Sequence, residues 1–250
     1  MVKVIQVTGL SGSGKTTFIR TLIPILARFG PVGTVKHTGH HSMELPQGKD
    51  TTVMFSAGAS AVAGIDGEKT LVTIASTSLA EALDILSGRG IAIAVVEGYK
   101  ESPLPKIVIG DIDLEGCILR NPDPEDVIRC LDRFPDYITP GEILRELEAD
   151  SRAEKGPATI ATSATPLSFG SDGDVLSTLE QALPRIVEEG KDLPGVIGVR
   201  AAIQHGILFG RPDELLIAIA AGKGEEAASA LEHALSRCRD ELAARSGTLR

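Results

Sequence analysis

Residues 9–16 read Gly9-Leu10-Ser11-Gly12-Ser13-Gly14-Lys15-Thr16, a glycine-rich stretch closing on Lys and Thr. Few folds can use such a stretch. Its backbone N–H groups curl around phosphates only when a strand delivers the loop and a helix leaves it, and when side chains are small enough to allow close approach. Both flanks are written in the chain. Val2, Val4, Ile5 and Val7 form an apolar run before the loop, and Phe18, Ile19, Leu22, Ile23, Leu26 and Phe29 recur at helical spacing after it. The pattern predicts an α/β P-loop NTPase domain with a mostly parallel sheet. In such a loop Lys15 reaches the β/γ-phosphates and the Thr16 hydroxyl ligates Mg²⁺. Gly9, Ser11, Gly12, Ser13, Gly14 and Thr17 complete the expected cradle. Pro24 is expected to kink the following helix or to end its first segment at Ile23.

The first half of the chain alternates strand and helix patterns. Strands are expected at Pro31–Lys36, Ala59–Ile65, Thr70–Ile74, Lys106–Ile109 and Cys117–Leu119, with a turn at Asp66-Gly67. The apolar run Ile91–Val96 reads as a strand buried on both faces of a parallel sheet. Helices are expected at Asp50–Ala57, Ser78–Leu86, Asp123–Leu131 and Gly141–Leu147, the second with Ser78 as N-cap and Glu81 completing a capping box. Residues 148–173 shift to Ala, Ser, Thr, Gly and charge, which reads as a linker. Beyond it, Val175–Glu188, Gly195–Ile203, Glu214–Ala220 and Glu225–Ala244 predict a small α-β-β-α unit. The expected organisation is a nucleotide-binding domain over 1–150, a linker over 151–173 and an α+β unit over 174–250.

Composition narrows the function classes. A net charge of −9 opposes broad nucleic-acid binding, and with no Trp and two Tyr there is little for a base-stacking platform. No apolar run approaches the length of a membrane-spanning helix, and the N-terminus reads as a core strand. Cys117, Cys130 and Cys238 lack metal-site spacing and suit a reducing compartment, so a cytoplasmic location is expected.

Several further residues fall where chemistry is expected. Glu97 ends the buried strand and precedes Gly98, so it lies beside the phosphate loop, where it can hold Mg²⁺ or orient water. Lys36 and His37 follow the second strand, at the same carboxyl edge. Lys36 could neutralise phosphate charge, and His37, His40 and His41 could bind phosphate or, if convergent, a metal such as zinc. Asp50 either caps the next helix or stands as an acid near the γ-phosphate. Lys100 and Lys106 suggest a second anionic site, or two solvated lysines. The guanine-selecting Asn-Lys-x-Asp motif is absent, and Asn121-Pro122-Asp123 could touch a base or form a helix N-cap region.

Taken together, these residues resemble the MobB family of molybdopterin-guanine dinucleotide biosynthesis proteins. The resemblance rests on the 9–17 loop, Leu22-Ile23-Pro24, Val35-Lys36-His37-Thr38, Gly48-Lys49-Asp50, Ala57-Gly58-Ala59, Val96-Glu97-Gly98-Tyr99-Lys100 and Pro105-Lys106-Ile107, and covers about residues 1–145. It implies GTP binding with Mg²⁺, weak GTP hydrolysis, a homodimer, and assistance to the guanylyltransferase MobA in attaching GMP to molybdopterin. The chain departs from the family at Ser42-Met43-Glu44, where an Asp is usual. The C-terminal unit is weakly similar to the second half of MoaE, the large subunit of molybdopterin synthase, over Gly198–Gly210, Glu214–Ala221 and the helix from Glu225. The family's His-Arg pairs appear as His205-Gly206 and Lys223-Gly224, so synthase activity is not implied, and an accessory or oligomerisation role fits better. The alternative reading of the whole is a P-loop kinase for a small metabolite, with Lys36, Lys100 and Lys106 holding its anionic acceptor.

Overall fold

The computed structural model describes residues 1–39, 46–152, 158–167 and 173–246. In chain order the N-terminal half contains β1 (Val2–Gly9), α1 (Lys15–Leu26), β2 (Val32–Lys36), α2 (Asp50–Ser56), β3 (Ala61–Ile65), β4 (Thr70–Ile74), α3 (Leu79–Gly88), β5 (Ile93–Glu97), β6 (Lys106–Ile109), β7 (Cys117–Arg120), α4 (Pro124–Arg129) and β8 (Asp136–Tyr137). The C-terminal half contains α5 (Pro140–Arg152), β9 (Thr159–Leu167), α6 (Gly173–Lys191), β10 (Val196–Gln204), β11 (Asp213–Ala221) and α7 (Gly224–Ser246).

Five parallel strands in the order β2-β5-β1-β6-β7 form the main sheet, as the alternating pattern predicts. The central strand β1 alternates its side chains between two buried faces. Ile5 and Val7 pack with Ile93, Val95, Ile107 and Ile109 against Ile19, Leu22 and Leu26 of α1 and Val127 of α4. Val2 and Val4 pack with Ala94, Val96 and Leu104 against Leu79, Ala80 and Leu83 of α3. α1 runs through Pro24 to Leu26 rather than ending at Ile23. Proline in the last turn forfeits one helical hydrogen bond, and the buried Leu22 and Leu26 hold that turn on the sheet.

The pairing of β6 starts at Lys106 opposite Gln6, which leaves the first residues of β1 with an open edge. β8 fills it in antiparallel sense, Val2 opposite Tyr137 and Lys3 opposite Asp136. The Lys3 ammonium then donates to the Phe134 carbonyl at 3.1 Å and pairs with Asp136 at 2.9 Å.

Residues 159–167, within the stretch whose composition suggested a linker, form β9, an edge strand paired along its whole length with β11. Its Thr, Ala and Ser residues are small or polar, in keeping with a strand that is only partly covered. The C-terminal sheet is therefore three-stranded and antiparallel, in the order β10-β11-β9, instead of a two-stranded α-β-β-α unit. α6 and α7 cover one face through Leu179, Ile186, Ala230 and Ala234, and α5 covers the other through Ile143 and Leu147.

β3 and β4 form a separate hairpin. Its turn is fixed by the Asp66 carboxylate, which accepts the N–H groups of Glu68 and Lys69. At α3 the Ser78 hydroxyl accepts the Glu81 N–H, and the reciprocal capping box is formed at α4 by Asp123 and Asp126.

Candidate phosphate-binding site

The loop 9–16 leaves the carboxyl end of the central strand, between the two strands that flank it. Gly9 is demanded by contact: a Cβ there would lie 2.1 Å from the Ile109 carbonyl oxygen of β6. Gly12 and Gly14 both take positive φ, and α1 begins at Lys15, so its first N–H groups face the loop. Ser11, Thr16 and Thr17 are exposed along its rim. The Lys15 ammonium folds back onto the Leu10 carbonyl oxygen at 2.5 Å, a polar stand-in of the kind a phosphate oxygen would displace. Among the described residues the buried hydroxyl oxygens of Thr8, near the end of β1, and of Ser13, in the loop, have no hydrogen-bond partner.

Strand order brings the acid to the loop. β5 lies between β2 and β1, with Glu97 opposite Val7 on one side and Lys36 on the other. The half-buried Glu97 carboxylate accepts a long hydrogen bond from the Thr16 hydroxyl at 3.4 Å and faces the Lys36 ammonium at 3.6 Å. A hydroxyl and a carboxylate at this separation are the hard oxygen donors that Mg²⁺ prefers, so the residues fit that ion. Beside them the His37 N–H donates to the Glu97 carbonyl at 2.8 Å, and the His37 ring stacks on Tyr99 with centroids 4.0 Å apart. Gly98 permits this approach, since a Cβ there would come within 2.9 Å of the His37 carbonyl oxygen.

The other expected residues separate. Asp50 is the exposed first residue of α2, with Lys49 in the cap position. Lys100 is exposed. Lys106 is buried, and its ammonium donates to the carbonyl oxygens of Lys100 at 3.0 Å and Ser102 at 2.7 Å. Burial pushes the pKa of that ammonium down, against the raising influence of Glu115 and Cys117. Lys106 thus belongs to the fold beneath the site, and neither the solvated nor the anion-binding reading describes it. At Asn121-Pro122-Asp123 the N-cap role is realised: Asp123 caps α4, and Asn121, at φ 42°, accepts the Gly110 N–H at 2.7 Å. His40 and His41 lie outside the described residues. Among the described residues no group of three His, Cys, Asp or Glu side chains is placed to hold a metal.

One participant escaped the sequence reading. Gln6 is fully buried in the central strand, and its amide donates to the carbonyl oxygens of Gly98 at 2.7 Å and Tyr99 at 2.6 Å. The available signal was a polar residue interrupting the apolar run of β1, because a buried amide requires partners.

Comparison with known proteins falls on this half of the chain. The family model described as molybdopterin guanine dinucleotide synthesis protein B matches residues 4–125. The molybdopterin-guanine dinucleotide biosynthesis adapter protein of Haemophilus influenzae is 37% identical over 114 residues, 43% of this chain and 63% of that protein. The adapter protein of Escherichia coli is 32% identical over 117 residues, 44% of this chain and 66% of that protein. The chain therefore spans just under two thirds of the length of these relatives. The crystal structure of Bacillus subtilis MobB superposes with a TM-score of 0.42 at 24% identity, covering 53% of this chain and 98% of that one.

Proposed function

We propose that the chain, which matches the MobB family model over residues 4–125, is a GTP-binding accessory protein of molybdenum or tungsten cofactor biosynthesis. It holds GTP with Mg²⁺ on the 9–16 loop, hydrolyses it weakly, and supports a MobA-like guanylyltransferase that forms molybdopterin guanine dinucleotide. The observation that carries this reading is the cluster of Thr16, Glu97 and Lys36 at the mouth of the glycine loop. Mg²⁺, when bound, would neutralise phosphate charge. Thr16 and Glu97 are the residues to hold it. Lys15 moves from the Leu10 carbonyl to the phosphates, and Lys36, released from Glu97, adds a second cation at the same edge. The kinase alternative loses support because Lys106, one of its three acceptor-binding lysines, is buried under two carbonyl oxygens.

A homodimer is part of the proposal. α2, β3 and β4 expose Val53, Met54, Ile65, Leu71, Val72 and Ile74, with Ile65 80% exposed, and α2 contains no buried residue. A two-stranded hairpin with so little cover is marginal alone, and a second copy would bury it.

Calorimetric titration with GTP and with ATP, each with Mg²⁺, tests the reading. Preferential GTP binding that Lys15→Ala abolishes is the expected result. ATP binding without GTP binding would overturn it.

A further inference from the structure

Gln6 and Lys106 sit side by side on the α3 face of the sheet, paired in register across β1 and β6. Both are buried where an α/β sheet ordinarily carries aliphatic side chains. The reason lies in the connection above them. The chain crosses from β5 to β6 over β1 through residues 98–105 without a helix, and Leu104 packs fully buried against this face. A crossover helix would satisfy its own carbonyl groups, but an irregular segment lying on a sheet leaves them facing the core. Gln6 takes those of Gly98 and Tyr99, and Lys106 takes those of Lys100 and Ser102. The Ser102 hydroxyl closes the set by donating to the Gln6 side-chain oxygen at 2.9 Å. Tyr99 is held at φ 49°, a conformation disfavoured for a bulky non-glycine residue, so the turn needs this support.

This turn begins at the residue after Glu97. We propose that Gln6 and Lys106 are positioning residues, which hold the Gly98–Ser102 turn from beneath so that Glu97 meets Thr16 and the His37–Tyr99 stack walls the site. The inference rests on the nucleotide-binding reading of that site. It assigns Lys106 a task distinct from contact with the ligand. The turn's inward carbonyls are fixed by side chains of β1, which delivers the glycine loop, and of its neighbour β6, so the metal-binding acid and the phosphate cradle share one frame.

The test uses the full chain and the variants Gln6→Met, Lys106→Met, Lys106→Arg and Ser102→Ala. GTP affinity is measured calorimetrically in EDTA and in saturating Mg²⁺, and amide exchange is followed over residues 98–102. In EDTA the glycine loop binds alone, and the two Met variants are expected to stay within about twofold of the parent protein. In Mg²⁺ their affinity gain falls by about tenfold or more, as expected when buried donors under the acid's turn are removed. Amide exchange across the turn quickens in the same variants. Lys106→Arg restores most of the gain, and Ser102→Ala gives a smaller loss while leaving the core intact. An unchanged Mg²⁺ gain in Gln6→Met and Lys106→Met would overturn the proposal. So would an equal loss in EDTA and Mg²⁺, which marks a purely structural role. Should a Met variant fail to fold, Ser102→Ala decides: an undiminished gain there counts against the proposal. If the parent protein binds no nucleotide in either condition, the reading of the site itself fails, a result distinct from those above.

Discussion

Glu97 stands between two cations of different kinds, the Lys36 ammonium at 3.6 Å and the proposed Mg²⁺ that Thr16 would share with it. Replacing it tests the site at the scale of one charge. Glu97→Gln retains the length of the side chain and is expected to leave metal-free GTP affinity unchanged while lowering Mg²⁺-dependent hydrolysis by about 100-fold, the span of a lost electrostatic group. A single-turnover phosphate-release assay checks this, and unchanged hydrolysis contradicts the assignment. A second residue-scale expectation concerns the thiols. Cys238 is buried among α6, α7 and the C-terminal sheet, and burial pushes its thiol up to about 11. A group raised above its unfolded value of 9.0 contributes stability below that value and loses it as pH climbs through about 11. At neutral pH Cys117 and Cys130, both partly exposed, should therefore react with a thiol reagent well before Cys238, which should react only on unfolding. Comparable rates for all three would contradict this packing.

Elements were legible in proportion to how strongly a period marked them. The apolar run before Glu97 and the amphipathic repeat after Lys15 identified β5 and α1, and strand order then placed Glu97 beside the loop. β9 was illegible because an edge strand of Thr, Ala and Ser carries no strong alternation and owes its existence to β11, whose Ile217 and Ile219 are fully buried. The β5–β6 connection was illegible for the opposite reason. Lys106 looked like a surface cation, and only the missing crossover helix explains why a lysine should point inward. The β3–β4 hairpin was read correctly as strands, but its lack of cover is a property of the folded surface. If a second copy provides that cover, Ile65→Lys with Leu71→Glu should shift the protein from dimer to monomer in sedimentation analysis while leaving GTP affinity within about twofold. A dimer that survives both changes places the interface elsewhere.

Across the whole molecule the two halves are joined by a polar seam at the end of the sheet away from the glycine loop. Tyr137 of β8 is fully buried, and its hydroxyl donates to Asp84 at 2.8 Å and approaches the Ala80 carbonyl. From the other half Phe209 meets the Tyr137 ring edge-on, and Arg211 lies over that ring while pairing with Asp84 at 3.3 Å. The Gln204 side chain accepts the Ile138 N–H, and Ser87 bonds Thr139. Burial, with Asp84 accepting its proton, pushes the Tyr137 pKa up, so the phenol stays neutral across the working range. One cooperative unfolding transition is expected. Arg211→Ala should lower stability by about 1 kcal/mol, through loss of its stack over the Tyr137 ring and of a partly exposed ion pair with Asp84, and should separate the two halves in calorimetry. Two transitions in the parent protein would show that the seam does not couple them.

β8 carries a practical consequence for anyone dividing the molecule. The family match ends at residue 125, an apparently natural place to cut. Yet residues 136 and 137 form the only strand paired to the open edge of Val2 and Lys3 among the described residues. A fragment ending at 125 would bare that edge at the centre of the sheet, together with the apolar wall that Tyr137 and Phe209 seal. Such a fragment should aggregate beyond a dimer through its first strand, whereas one extended past Tyr137, with that strand edge paired again, should aggregate less at the same concentration.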